Sequence, residues 1–372
     1  MSWRAAGDGD TVGGVPARYV AEPASTEEAS AVLTAAATDD LAVVIRGAGS
    51  KLDWGLPPRR LDLIVDTSRL AGVVEHAAGD LITVVRAGTR TADLDFGSQQ
   101  LALDPRPGAT IGGTVAANTS GPRRLLYGTA RDLLIGITVV RPDGRVARAG
   151  GKVVKNVAGY DLGKLFTGSY GTLGLITECV FRLHPVPRAR SWVTARVPAE
   201  ELAGALAAIR GAQVVPSAVE IDRPERGPVA VAVLLEGTAE GVQDRAARLV
   251  ELLGGTAVTE PPGWFGADPW PAGGVGVKLT VPLSKVAKLP FPLRGSAGTG
   301  VLYATATAES VAGMRAAATA AGGYAVVLTA PPEVRDRVDM WGPVPALALM
   351  RRVKEQFDPG HRFAPGRFVG GI

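Results

Sequence analysis

Residues Gly150 to Glu178 read GGKVVKNVAGYDLGKLFTGSYGTLGLITE and join clustered glycines, paired lysines and a closing apolar run. Gly168, Gly171 and Gly174 fall three apart, so a backbone without Cβ atoms can approach a bulky cofactor closely or take up positive φ. Leu175, Ile176 and Thr177 lead into Cys179, Val180 and Phe181 as a buried strand would. A plain Gly-rich hairpin fits the same residues. The choice between hairpin and ligand loop therefore rests on the rest of the chain.

Three earlier segments have the same character, each at a strand end or turn. They are Arg46 to Lys51 (RGAGSK), Pro105 to Gly121 (PRPGATIGGTVAANTSG) and Tyr127 to Asp132 (YGTARD). Exposed backbone N–H groups in such loops form concavities for anions such as a pyrophosphate. In the second segment Gly112 and Gly113 let main chain press on a phosphate or ring, while Thr110, Asn118 and Ser120 offer hydrogen bonds. The familiar nucleotide signatures fail on spacing. Gly159 to Lys164 is one residue short of a Walker A loop and lacks the following Ser or Thr. Gly47-Ala-Gly49 has no third glycine at Leu52, which removes the Rossmann fingerprint. A dinucleotide held here needs another architecture.

Composition narrows the classes further. A chain of 372 residues exceeds what one core usually holds, which favours two domains. The sole cysteine, Cys179, excludes an intrachain disulfide, no Cys cluster can hold a metal centre, and a cytoplasmic setting fits. The N-terminal stretch lacks the apolar core of a signal peptide, and no run reaches the ~20 apolar residues that span a bilayer. Direct membrane insertion is not expected. Net charge is +4, but the arginines are scattered among acids and not interleaved with aromatics, which argues against nucleic acid.

The periodicities predict an organisation. Residues 1–18 read as a partly ordered lead-in. A first domain, 19–187, opens with a helix capped by Ser25 or Thr26, with Glu27 and Glu28 at the positive end of its dipole. The strand Leu41–Ile45 follows and ends in the Arg46 loop, and Leu61–Val65 is another strand. Further strands are expected at Val73–Glu75, Leu81–Val85, Leu133–Val140 and Val146–Arg148, with a helix over Thr91–Leu101. After Pro185–Pro187 a second α+β domain, 188–345, alternates helices (Ala199–Ile209, Ala239–Leu253, Ser310–Ala321) with strands (Val219–Ile221, Val229–Leu235, Val275–Val281, Val301–Ala306, Ala325–Leu328). It reads as a sheet covered by helices on one face. Residues 346–372 form a closing segment with a helix stopped by Pro359 and Gly360. No internal repeat is visible.

The four segments in this order resemble the FAD-binding domain of the vanillyl-alcohol oxidase, or PCMH, type. Phe357-Asp-Pro and Ala364-Pro-Gly-Arg367 are similar to the closing segment of that superfamily. The resemblance runs from about Tyr19 to His184 and resumes near Met350. It implies an α+β fold: a PCMH-type FAD-binding domain of two α+β subdomains, a ferredoxin-like α+β cap, and a C-terminal segment returning to the FAD domain. By motif position it implicates Arg46, Gly47, Ala48, Gly49, Ser50, Lys51, Pro107, Gly108, Thr110, Ile111, Gly112, Gly113, Asn118, Gly121, Gly171, Gly174 and Ile176 in holding FAD. No His or Cys lies in the Arg46 loop, so the FAD is expected to be non-covalent.

Within the superfamily, Lys51 to Gly55, Val154 to Leu162 and Gly168 to Gly171 look most like the FAD-binding subunit of bacterial glycolate oxidase. Complete 2-hydroxy-acid dehydrogenases of the class tend to carry Glu where Tyr170 stands. The resemblance implies a catalytic flavoprotein subunit and an iron–sulfur subunit as partners, a small 2-hydroxy acid as the electron source, and membrane association through those partners. Two alternatives stay open: a self-sufficient FAD dehydrogenase of a small hydroxy acid or sugar lactone, and an assembly subunit whose FAD is structural.

Catalytic residues are not assigned. Lys155, Asn156 and Tyr160 are candidates for the flavin edge and read equally well as surface and turn residues. Arg190, Arg196, Arg223, Arg226 and Arg294 are candidate carboxylate clamps, though scattered arginines are usually solvated. Lys278, inside an apolar strand, either faces the flavin or sits on a sheet edge. Only three histidines exist and none lies between Pro185 and Gly360, so a His-based metal site is not expected. Trp54, Trp264, Trp270 and Trp341 read first as packing residues.

Overall fold

The computed structural model describes residues 3–152 and 160–372. They divide into two compact units, the first made of residues 1–120, 129–185 and 343–372, the second of 121–128 and 186–342. The architecture is α+β in both.

In the first unit a small sheet runs in the order Arg4–Ala5, Tyr19–Ala21, Leu63–Asp66, Val43–Arg46, the last three parallel. The helix Thr26–Thr38 supplies the crossover. Ser25 accepts the Glu28 N–H as its cap, and Ala29, Leu33 and Ala36 face the core. They pack with Val43, Leu63, Val65, Val140 and Leu175, which ties the small sheet to its larger neighbour. That neighbour is antiparallel, in the order Val146–Gly150, Leu134–Val140, Leu175–Arg182, Ile82–Arg86, Val73–Ala77. Phe166, Phe181, Ile111 and Cys179 are fully buried in its core, at 0% exposure. Truncating such a phenylalanine costs about 3–5 kcal/mol.

Two expectations fail in this unit. The stretch Thr91–Leu101 is a short 3-10 turn, Thr91–Asp93, followed by the two-residue strand Gln99–Gln100. Asp95 accepts the Gly97 N–H at 2.9 Å and Gly97 takes a φ of 62°, so an Asx turn outcompetes the helix. The lead-in is part of the fold. Arg4–Ala5 pairs with Tyr19–Val20, Thr11–Val12 forms a hairpin with Val15–Pro16, and Asp10 receives Arg4 at 2.8 Å and Arg46 at 2.9 Å. Charge pairing, which hydropathy does not register, fastens it.

The second unit is one antiparallel sheet of eight strands: Thr256–Val258, Ala189–Val197, Val229–Gly237, Ala218–Arg223, Leu293–Ser296, Val301–Ala306, Val275–Thr280, Tyr324–Thr329. The first four, numbered by sequence, lie in the order 4-1-3-2 and the last four in the order 2-3-1-4, so two ferredoxin-like halves join edge to edge through Ala218–Arg223 and Leu293–Ser296. The architecture is duplicated although no repeat is visible in sequence. Side chains alternate along the strands. Val193, Val233, Ile221, Leu302, Leu279 and Val327 share the buried face. The helices Leu202–Gly211, Ala239–Leu253 and Ser310–Ala320 bury the apolar stripes Leu202/Leu206/Ile209, Val242/Ala246/Leu249 and Val311/Met314/Ala318.

The opposite face is polar, and the short segment 121–128 belongs to it: Tyr127 donates to Glu236 at 3.0 Å, beside Arg190 at 2.8 Å. The strand Ala189–Val197, not foreseen from sequence, alternates Arg190, Trp192, Thr194 and Arg196 with inward Ser191, Val193, Ala195 and Val197. Lys278 is not an edge residue, since its strand lies between Val301–Ala306 and Tyr324–Thr329.

Candidate functional site

The parallel strand Val43–Arg46 delivers its C-terminal end to the loop Gly47–Lys51, the position where open α/β sheets bind ligands. Arg46 is the anchor of that loop. Its guanidinium donates to Asp66 at 2.7 Å and to Asp10 at 2.9 Å, and both acids are largely buried. Arg4, the Gly7 N–H and Arg46 hold the Asp10 carboxyl well below the usual carboxylate range. The loop therefore leaves a fixed, charge-locked base.

Against it stands the helix Ile111–Ala117, capped by Thr110, whose Oγ1 accepts the Gly113 N–H at 3.3 Å. Close approach explains its glycines. A Cβ on Gly47 would lie 2.4 Å from Thr110 Oγ1, and one on Gly112 would lie 2.8 Å from the Ala87 Cβ. The third wall is the turn Gly168–Gly174. Its Gly171 has a φ of 71° and Gly174 a φ of 154°, with Val140 O only 2.7 Å from where a Cβ would stand.

Two adjoining compartments open between these walls, sharing Ile45, Gly47, Gly113, Ala116 and Tyr170. One is lined by Gly47 to Leu52, Thr110 and Arg367, the other by Thr67, Ala87, Gly112, Gly171, Gly174 and Ile176. Among the described residues no Asp or Glu lines them, whereas Lys51 and Arg367 do. Desolvation, with Arg106 nearby, lowers the Lys51 amine to about 8. Arg367 is buried and holds Leu52 O at 2.9 Å and Trp54 O at 3.0 Å, fixing the far end of the loop. A positive cradle walled in part by glycines fits a diphosphate. Asn118 Oδ1 and Ser169 Oγ are buried nearby without a protein hydrogen bond among the described residues.

Of the residues implicated from sequence, Gly47, Ala48, Gly49, Ser50, Lys51, Thr110, Gly112, Gly113, Gly171, Gly174 and Ile176 line this cavity. Others lie behind it. Ile111 is fully buried in the core, Asn118 ends the helix in a left-handed conformation, and Pro107 and Gly108 form the turn before Ala109. Gly121 groups with the second unit. The sequence reading passed over Tyr170, Arg367, Ala116 and Ala117 as lining residues. All four lie inside quoted motifs, but only the fold shows that the C-terminal Arg367 meets the first loop. Tyr170 has a φ of 57° and stacks on Phe368 with ring centroids 4.9 Å apart.

Lys155 and Asn156 fall outside the described residues. Tyr160 is 94% exposed. Among the candidate clamps, Arg190 and Arg294 meet Glu236 and Asp222, Arg223 donates to Ala287 O and Leu289 O, and Arg196 and Arg226 are exposed. Burial pushes the Cys179 thiol up, which leaves it inert.

Residues 17–150, which include the first two loops and the helix between them, match the FAD binding domain family. Residues 17–150 are an FAD binding domain. Glycolate oxidase subunit GlcE of Escherichia coli K12 is 39% identical over 161 residues, 41% of this chain and 45% of that protein. Glycolate oxidase subunit GlcD of Bacillus subtilis 168 is 35% identical over 213 residues, 55% of this chain and 45% of that one. The matches thus span under half the length of these relatives. In fold, an alkyldihydroxyacetonephosphate synthase superposes with a TM-score of 0.69 at 18% identity, covering 94% of this chain and 77% of the other. Among the described residues no helix is long and apolar enough to cross a membrane.

Proposed function

We propose that this chain is the FAD-binding subunit of a glycolate oxidase-like complex, an oxidoreductase that takes electrons from glycolate or another small 2-hydroxy acid. The observation that carries the reading is the acid-free cavity between the Gly47–Lys51 loop, the helix Ile111–Ala117 and the Gly168–Gly174 turn. FAD supplies hydride and electron chemistry. In this reading Gly47, Gly49 and Gly113 bring main chain against the diphosphate, Lys51 and Arg367 balance its charge, and Gly171, Gly174 and Ile176 close the second compartment. Among the described residues no His or Cys lines the cavity, which supports a non-covalent flavin.

The likeness to subunits GlcE and GlcD supports work in a complex. In this reading substrate oxidation rests on a catalytic flavoprotein subunit and electrons leave through an iron–sulfur subunit. Purified protein should show a flavin spectrum, and acid precipitation should release the yellow chromophore into the supernatant. Protein with no flavin and no spectral gain on adding FAD would refute the cofactor reading. Turnover of glycolate by the isolated chain with an artificial acceptor would refute the division of labour.

A further inference from the structure

Residues 354–368 reach two of the walls that bound the cavity from behind. Lys354, on the closing helix Leu347–Phe357, is 1% exposed, and its ammonium donates to Thr172 O at 2.8 Å, Phe363 O at 2.9 Å and Asp358 Oδ2 at 2.6 Å. Three N–H donors meet three acceptors, so the buried cation is fully satisfied. Asp358 Oδ2 also accepts the Phe363 N–H at 2.8 Å. Lys354 itself is not among the lining residues.

The acceptors belong to different walls. Thr172 lies in the Gly168–Gly174 turn, whose Gly168 and Tyr170 N–H groups donate to Val115 O at 3.0 Å and Ala116 O at 2.9 Å. Turn and helix Ile111–Ala117 are thereby one body. Phe363 runs beside the first strand: the Val43 N–H donates to Arg362 O and the Ala364 N–H to Val43 O, both at 2.7 Å. Further along, Arg367 O accepts the Leu56 N–H at 3.0 Å while its guanidinium holds Leu52 O and Trp54 O. Phe368 stacks on Tyr170, and Phe357 meets Phe166 edge-on at 5.6 Å. The segment thus grips the turn at Thr172 and Tyr170, and the Gly47–Lys51 loop on both of its flanks.

A ligand enclosed between walls leaves when they part, and parting these walls strands the Lys354 ammonium or its acceptors away from water. We infer that residues 354–368 form a clasp that fixes the spacing of the cavity walls and so sets how long a bound flavin stays, with Lys354 as a positioning residue. The ligand's identity rests on the flavin reading, whereas the clasp rests on these contacts alone.

Three variants of the full chain test it. Lys354→Met strands Asp358, Lys354→Met/Asp358→Leu replaces the charged pair by apolar groups, and Phe368→Ala removes the stack and leaves the pair. FAD release, followed by flavin fluorescence after dilution, should be about tenfold faster or more in the double variant and about threefold faster in Phe368→Ala. The urea midpoint of the double variant should recover part of what Lys354→Met loses, while its FAD release stays fast. Recovery of both together would make the pair merely structural and overturn the clasp. In the flavin-free proteins, hydrogen exchange across Gly168–Gly174 should be about tenfold faster in the double variant, with Val229–Gly237 of the second unit unchanged. Native release rates in either variant, or native exchange in that turn, would also overturn it. If the native chain takes up no FAD, the proposed function fails, and exchange in the flavin-free turn still decides whether the clasp holds the walls.

Discussion

Gly47 and Lys51 carry different parts of the site. Gly47 is there for space: an alanine methyl would meet Thr110 Oγ1 and push the cap of the Ile111–Ala117 helix. Gly47→Ala is expected to purify folded by circular dichroism but with less than about a tenth of the native flavin content, a loss of about 1.4 kcal/mol or more in binding. Lys51 is there for charge. Its lowered value means that its charge opposes folding of the free protein at pH below about 8. That opposition fades as pH rises from about 8 toward 10.5, where the unfolded chain still holds the proton. A diphosphate beside the amine favours the charged form, so FAD should bind best below pH 8. Fluorescence titration should show the dissociation constant rising about tenfold, or about 1.4 kcal/mol, between pH 7 and 9.5. Lys51→Met should bind more weakly and show a flat profile; an unaltered profile would exclude contact with the diphosphate. Both residues line the cavity, and glycine spacing and an adjacent lysine are the local signals that single them out. Arg367 carries no such signal, since nothing local says that it reaches Leu52 and Trp54.

The closing helix Leu347–Phe357 fastens the turn that ends the site. Lys354 is 1% exposed and donates to Thr172 O at 2.8 Å, Phe363 O at 2.9 Å and Asp358 at 2.6 Å. Asp358 also accepts the Phe363 N–H at 2.8 Å. Removing one partner strands a buried charge, so Lys354→Met should cost about 3–5 kcal/mol in urea unfolding, and Lys354→Met/Asp358→Leu should restore part of it. A loss below about 1 kcal/mol would show that the pair does not hold the turn. In the second unit Ala239–Leu253 and Val301–Ala306 fall where the sequence puts them, because they carry strong periodicity and clear turn residues, whereas the strands Ala189–Val197, Thr256–Val258 and Leu293–Ser296 are not among the expectations. Thr91–Leu101 departs from its expectation. It reads as a helix candidate in sequence, but Asp95 and Gly97 commit the backbone to a turn.

At the scale of the whole molecule, the chain crosses between its two units at residues 121–128 as well as near 186 and 343. Ligand bound only to the native form stabilises it by about 2.7 kcal/mol at a hundred times its dissociation constant. Hydrogen exchange read by mass spectrometry should therefore slow on adding FAD in Arg46–Lys51, Ile111–Ala117 and Gly168–Gly174, with the sheet strands of the second unit unchanged. Protection confined to the second unit would place the cofactor elsewhere. The sequence by itself determined the α+β class, the glycine loops and the flavin they suit, because turn chemistry and hydrophobic period are local properties of the chain. Tertiary structure decided the rest. The ion pairs that make the lead-in part of the fold, the Lys354 anchor and the paired ferredoxin-like halves join residues distant along the chain. Such contacts follow from how sheets pair and charges are buried, which no local window of sequence contains.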